Sequence, residues 1–260
     1  MPDFDTSVPH IARVYDYWLG GKDNFAADRE LGERTLQAYP NLVFSVRANR
    51  AFLARTVRFL AGERGIRQFL DIGTGIPTAN NTHEVAQRAA PECRIVYVDN
   101  DPIVLSHAKA LLKSTPEGAC AYLDADLRDP DTILAGAAHT LDFSQPVAVM
   151  LIAVLHMVTD DAEASGIVSK LMGACAPGSY LAVSHPASDI DAEQMAEMLR
   201  RFNESSPAKM RMRDHAGVAG LFDGLELVEP GLIRAAEWRP DTDLEAASPA
   251  ALWGGVARKP

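Results

Sequence analysis

QFLDIGTGIPT, residues 68–78, is an apolar run that carries Asp71 near its end and opens at once into Gly73-Thr74-Gly75. It has the form of a strand entering a tight turn. Glycines at such a turn let the backbone approach a ligand closely, and the helix that follows aims its free amides at it. The next acid of the right kind is Asp99, which closes VYVD twenty-four residues after Gly75. At the carboxyl end of a second strand its carboxylate can accept hydrogen bonds from both hydroxyls of a ribose. A lone GxG is common in ordinary turns. Strand, GxG, helix, strand and terminal acid in that order form a much more specific signal for a bound nucleoside. The dinucleotide fingerprint asks for a third glycine three positions after the second, but Thr78 stands there behind Pro77, which disfavours a pyrophosphate. No GxxxxGK[ST] loop is present either, so a nucleoside triphosphate in a P-loop is not expected.

Outward from that loop the chain alternates. RQFLDIG, CRIVYVDN, ACAYLDADL, PVAVMLIAV and SYLAVSHP are short β-rich runs, and THEVAQRAA, PIVLSHAKALLK and AEASGIVSKLMGACA read as helices between them. This predicts right-handed βαβ units and a mainly parallel sheet with helices on both faces. DAEQMAEMLRRFNES and HAGVAGLF follow as helices. LELVEPGLIRAAEW and LWGGVARKP then read as strands with no crossover helix between them, so the sheet is expected to end in an antiparallel hairpin, as a class I methyltransferase sheet does. Upstream, RANRAFLARTVRFLAG sets Phe52, Leu53, Val57, Phe59 and Leu60 on one apolar stripe. The expected architecture is therefore α/β. A Rossmann-like sheet over residues 65–260 lies beneath an N-terminal helical cap over residues 1–64.

Bulk properties narrow the partners. The 260 residues are 47% hydrophobic, enough for one substantial core, and the formal charge of -10 repels nucleic acid and anionic membrane surfaces. The longest apolar run, VAVMLIAVLHMV, is too short for a membrane span. Three scattered cysteines, with no CxxC pair, point to neither a disulfide framework nor structural zinc, and suit a reducing cytoplasm.

Taken together, ARVYDYWLGGKDNFAADRE, RANRAFLARTVRFL, QFLDIGTGIPTANNTHEVAQ, VYVDNDPIVLSHAKALL and WGGVARKP resemble the actinobacterial S-adenosyl methyltransferase family, long catalogued as a domain of unknown function. The resemblance covers essentially the whole chain. It implies a class I fold with S-adenosylmethionine as cofactor and supplies no methyl acceptor. Carried over from the general class I pattern, Gly73 and Gly75, with Asp71 and Thr74, lie under the cofactor, Asp99 holds its ribose and Asn100 lies beside the adenine. Asp126-Leu127 resembles the element that reads the adenine amino group and ring, with Asp124 as the alternative and Asp126 then only a helix cap. Ile152-Ala153 and Leu155-His156 would line the pocket near the transferable methyl. The fourth strand ends LIAVLHM, without the acids of a magnesium site or an Asn-Pro-Pro-Tyr motif, so no metal and no DNA base are expected.

YDYWLGGKDN is then read as a lid. Tyr15, Tyr17 and Trp18 would wall the site, Gly20-Gly21 would supply a turn, and Lys22 or Asn24 polar contacts; the alternative is an aromatic pack with a plain helix stop. Arg47 is a candidate clamp for the cofactor carboxylate, unless it belongs to a solvated helix face. Asn81 falls near the methionine moiety, or serves with Thr82 as an N-cap. His156 and His185 each follow a strand at its carboxyl end and are the candidates for deprotonating an acceptor, while His10, His107, His139 and His215 are expected away from the pocket. The leading reading is a metal-independent, cytoplasmic methyltransferase acting on oxygen or nitrogen of a small molecule. The competing readings are a non-catalytic S-adenosylmethionine-binding regulatory protein and, opposed by Thr78 and the terminal hairpin, a nicotinamide-dependent oxidoreductase.

Overall fold

The computed structural model of the chain describes residues 5–77, 79–104, 106 and 113–260. Thr78, His107 and most of the expected helix PIVLSHAKALLK lie outside them, although residues 102–104 are helical. The five β-rich runs form β1 (Gln68–Ile72), β2 (Arg94–Asp99), β3 (Ala119–Asp124), β4 (Ala148–Ile152) and β5 (Tyr180–Pro186). All five are parallel, in the order β3-β2-β1-β4-β5. The terminal run is the antiparallel strand β8 (Leu252–Arg258), paired along β5 from Tyr180 opposite Arg258 to Pro186 opposite Leu252. LELVEPGLIRAAEW is not the single strand expected. It yields β6 (Glu226–Leu227) and β7 (Ile233–Arg234), each antiparallel to β8. Pro230 has no amide for a ladder and Gly231 takes φ +94°, so the chain leaves the sheet between them.

Strand alternation decides the layers. Leu70, Ile72, Val149, Leu151 and Val183 face one core, completed by Ile133, Ile167 and Leu171 from helices Pro130–Ala137 and Asp161–Ala174. Phe69, Ala148, Met150 and Ala182 face the other, under α3 (Leu42–Gly62) and α4 (Thr82–Ala89). There Trp238 meets Phe52 and Phe59 edge to face at 5.4 and 5.7 Å.

A third cluster builds the N-terminal layer. Val14 and Trp18 of α1 (Ile11–Trp18), Leu31 of α2 (Ala26–Ala38), Leu42 and Val46 of α3, and Met195, Met198 and Phe202 of helix Ala192–Ser205 pack together. The segment read from sequence as a lid is therefore helical up to Trp18. Gly20, at φ +81°, ends it as a left-handed cap. Gly21 is needed for a different reason, because a Cβ there would stand 1.9 Å from Asp16 Oδ1. That clearance lets Asp16 fold back and accept the Asp23 amide at 2.9 Å and Asn24 Nδ2 at 2.8 Å. Among the described residues, no helix is long and apolar enough to cross a membrane.

Candidate functional site

β1 and β4 are neighbours whose onward connections run to opposite sides of the sheet, and the crevice outside the carboxyl ends of strands at such a switch is where ligands bind. A cavity of about 660 Å³ opens there, within the range of small-molecule sites.

Its β1–β3 side carries the glycine loop. Gly73 at φ +74° and Gly75 at φ +64° hold conformations that other residues avoid, and a Cβ on Gly73 would run into Val154 Cγ2 at 2.3 Å. The loop is pinned to β2: the Gly73 amide donates to the Val98 carbonyl at 2.8 Å, and the Gly75 amide to Asp99 Oδ2 at 2.9 Å. Asp99 Oδ1 takes the Asp101 amide at 3.0 Å, which leaves further lone pairs on both oxygens for a ligand. Burial raises the Asp99 carboxyl above its ordinary value, against the pull of those two amides. Burial also pushes Asp71 up to about 6, although the Thr82 hydroxyl donates to it at 2.5 Å. Thr74, Asn100, Asp126, Leu127 and Ala153 complete this wall, whereas Asp124 is exposed and outside it. Asn100 Nδ2 lies 3.5 Å from Asp126 Oδ2.

The N-terminal helices close the cavity from above. His10, Arg13, Tyr15 and Trp18 line it, and His10, expected elsewhere, sets Nδ1 2.8 Å from Asp101 Oδ2. Burial alone would raise Asp101, but the His10 hydrogen bond and charge outweigh it and hold that carboxyl low. Tyr15 hydroxyl donates to the Val46 carbonyl at 3.2 Å and accepts from Asn49 Nδ2 at 2.9 Å. Asn49 Oδ1 in turn accepts from the Ser184 hydroxyl at 2.5 Å, and that hydroxyl takes the Ala153 amide at 2.9 Å. Ala153 needs the support, because it holds φ +50° at the end of β4. One buried polar chain thus ties α1, α3, β5 and the post-β4 turn together. We expect Asn49→Ala to lower unfolding stability by about 1–3 kcal/mol, the cost of orphaning buried polar groups, and to speed hydrogen exchange in α1. Urea denaturation and exchange mass spectrometry would check this; an unchanged α1 would show that the chain does not hold it.

After β4 the chain makes a tight turn, Leu155–Met157, that carries His156 into the wall. Burial, with the nearby Arg213 charge, lowers the His156 imidazole to about 4, so it stays neutral across physiological pH instead of titrating near neutrality as its type suggested. Among the described residues its buried Nδ1 has no hydrogen-bond partner. His185 has the opposite placement. Strand alternation turns Ser184 toward α3 and His185 to the other face, where its Nε2 meets Arg213 Nη1 at 2.9 Å behind the cavity. Burial, with His156 and Arg213 adding, lowers His185 to about 3. Arg213, 4% exposed, had no sequence signal, yet it donates to the Leu155 and Val158 carbonyls at 3.2 and 2.9 Å and to Asp161 Oδ1 at 2.9 Å.

Six other sequence candidates also stand outside the cavity lining, among them Lys22, which is exposed, and Leu155, which is buried in the core with Leu151. Tyr17 lies on the far side of α1 from Tyr15 and Trp18 and donates to Glu33 Oε2 at 2.9 Å. Asn24 is taken up by Asp16 and the Gly21 carbonyl. Arg47 is exposed on α3, while Asn49 and Arg50 reach the lining. Asn81 is the N-cap of α4 in a capping box with Glu84. Among the described residues, no group of three or more His, Cys, Asp or Glu side chains could hold a metal ion.

Comparison with known proteins bears on the family and the fold. The family model described as S-adenosyl methyltransferase matches residues 1–260. A DUF574 family protein from Streptomyces avermitilis is similar at 47% identity, covering 98% of this chain and 99% of its own, with a TM-score of 0.94. A Thermobifida fusca protein described as a methyltransferase is similar at 44% identity over 99% and 97% of the two chains, with a TM-score of 0.90. An O-methyltransferase family 2 protein from Planctomyces limnophilus, in complex with apigenin, shares the fold at 19% identity and a TM-score of 0.52, over 90% of this chain and 66% of that one. No curated protein matches the chain.

Proposed function

The chain belongs to the S-adenosyl methyltransferase family, and from that membership we propose that it methylates oxygen or nitrogen of a small molecule without help from a metal ion. The observation that carries this reading is the Gly75 amide on the Asp99 carboxylate, at the mouth of a cavity that continues to His156. When bound, S-adenosylmethionine supplies a methyl group on a sulfonium centre, and the residues present fit such a group. Asp99 has free lone pairs for ribose hydroxyls, Asp126 and Leu127 flank the place of an adenine, and the buried Asp71 complements a cationic methionine end. Neutral His156 accepts a hydrogen bond from the O–H or N–H of the acceptor and orients its lone pair, and the N-terminal wall limits the access of water once it closes on the bound cofactor. Residues 1–64 serve as the cap and lid of the catalytic domain 65–260, with Tyr15 and Trp18 as the lid surfaces that reach the cavity.

Calorimetry with S-adenosylhomocysteine, followed by transfer of a labelled methyl group from S-adenosylmethionine to a metabolite extract with and without EDTA, tests the reading. Binding without any transfer would reduce the protein to a cofactor-binding one, and loss of transfer in EDTA would remove metal independence. In the same complex the amides of residues 17–24 should exchange more slowly than in the free protein if the lid closes.

The acids give the binding a pH dependence. Asp71 in the free protein takes up a proton as pH falls through about 6. A cationic cofactor favours its ionised form, so protonation competes with binding. Affinity for S-adenosylmethionine is therefore expected to be flat above about pH 7 and to weaken as pH falls below about 6. Calorimetric titrations from pH 5 to 8 would show it, and Asp71→Asn should flatten the profile.

A further inference from the structure

Five of the eight methionines, Met157, Met195, Met198, Met210 and Met212, line the cavity on its β4–β5 side. They come from the turn after β4, the helix Ala192–Ser205 and the segment that follows it, across the switch point from Asp99, Asn100 and Asp126. The cofactor groove makes no use of them. The polar groups around them are engaged within the protein, although the Lys209 ammonium keeps its charge and one N–H beyond its two carbonyl contacts. Trp18 Nε1 donates to the Gly32 carbonyl at 3.1 Å, Lys209 Nζ to the Ser206 carbonyl at 2.9 Å and to the Asn203 carbonyl, and the Ser45 hydroxyl accepts the Ala251 amide at 3.0 Å. His156 stands where the two halves meet, since its carbonyl takes the Arg211 amide between Met210 and Met212.

Thioethers are apolar, polarisable and conformationally adaptable, and they make favourable contacts with aromatic rings. A charged ligand entering among the thioethers would lose its hydration without a compensating hydrogen bond from them. We propose that this half of the cavity is the acceptor subsite and receives an uncharged fused-ring aromatic compound, seated among the methionines with a single hydroxyl turned to His156. The assignment rests on the methyltransferase reading above and deepens it by naming the acceptor class.

The test is calorimetric titration of the full-length protein with 2-naphthol and with naphthalene-2-sulfonate, each with and without S-adenosylhomocysteine. The expected result is 2-naphthol binding at least about 10-fold tighter than the sulfonate, a difference of roughly 1.4 kcal/mol. Met198→Trp, which fills the subsite, should abolish naphthol binding and leave S-adenosylhomocysteine affinity within about twofold. Equal or tighter binding of the sulfonate, no binding of 2-naphthol, or a folded Met198→Trp protein that keeps its naphthol affinity would each overturn the proposal. Should that variant fail to fold, the comparison of the two ligands on the unaltered protein decides. If S-adenosylhomocysteine itself does not bind, the cofactor reading falls, and 2-naphthol binding to the free protein still decides the subsite.

Discussion

Replacing Asp99 by alanine is expected to weaken binding of S-adenosylmethionine by roughly 2–4 kcal/mol, or about 30- to 700-fold, while leaving the sheet folded. Two losses combine. In the proposed cofactor site the carboxylate would accept from both ribose hydroxyls, and hydrogen bonds to a charged group contribute more than neutral ones. It also fixes the loop beneath the cofactor, because its Oδ2 holds the Gly75 amide and its Oδ1 the Asp101 amide. Those amides border a solvent-reachable cavity, so water can replace the lost carboxylate and the cost to folding stays small. Asp99→Asn keeps one acceptor oxygen and should fall between the two. Calorimetry on variants with native circular dichroism checks the result. An unchanged dissociation constant in a folded Asp99→Ala protein would remove Asp99 from the cofactor site.

Arg213→Met should cost about 3–5 kcal/mol of unfolding free energy. The guanidinium is buried, and it is the donor for the Leu155 and Val158 carbonyls as well as the partner of His185 Nε2 and Asp161. A methionine of similar length fills the space and satisfies none of them, leaving two buried carbonyls at roughly 1–3 kcal/mol each. Lysine is not an adequate substitute, because one ammonium cannot reproduce a planar fork aimed at several acceptors at once. Since those carbonyls belong to the turn that carries His156, methyl transfer should suffer more than cofactor binding. Urea denaturation of the two variants measures the stability term; a loss below about 1 kcal/mol would mean that the turn is held by its own packing.

The two halves of the site differed in how far they could be read in advance. The places of Gly73, Gly75 and Asp99 at the cavity were legible because they follow from backbone conformation and from position at a strand end, both of which are local. Asp126 was legible only as one of two choices. Lining residues on the helices depended on rotation about an axis that sequence spacing leaves undetermined to within part of a turn. Arg47 and Arg50 lie about 60° apart around α3, and only Arg50 reaches the cavity. Tyr15 and Trp18 share a face of α1 and Tyr17 does not, a distinction that required knowing the segment to be helical. His10, Asn49, Arg213 and the methionines carried no local signal. Their partners stand far along the chain: Asp101 for His10, Ser184 for Asn49, His185 for Arg213.

Taken alone, the sequence determined the parallel order of strand and helix, the antiparallel close, the glycine loop with its acid and the family, since each rests on short-range periodicity or on a motif whose parts lie within a few dozen residues. Only the tertiary structure decided which of the two candidate histidines, His156 and not His185, meets the cavity, that its imidazole stays neutral, and that methionines line the β4–β5 side. Those properties come from burial and from contacts between segments remote in sequence, which exist only once the N-terminal helices, the turn after β4 and residues 195–213 close around one space.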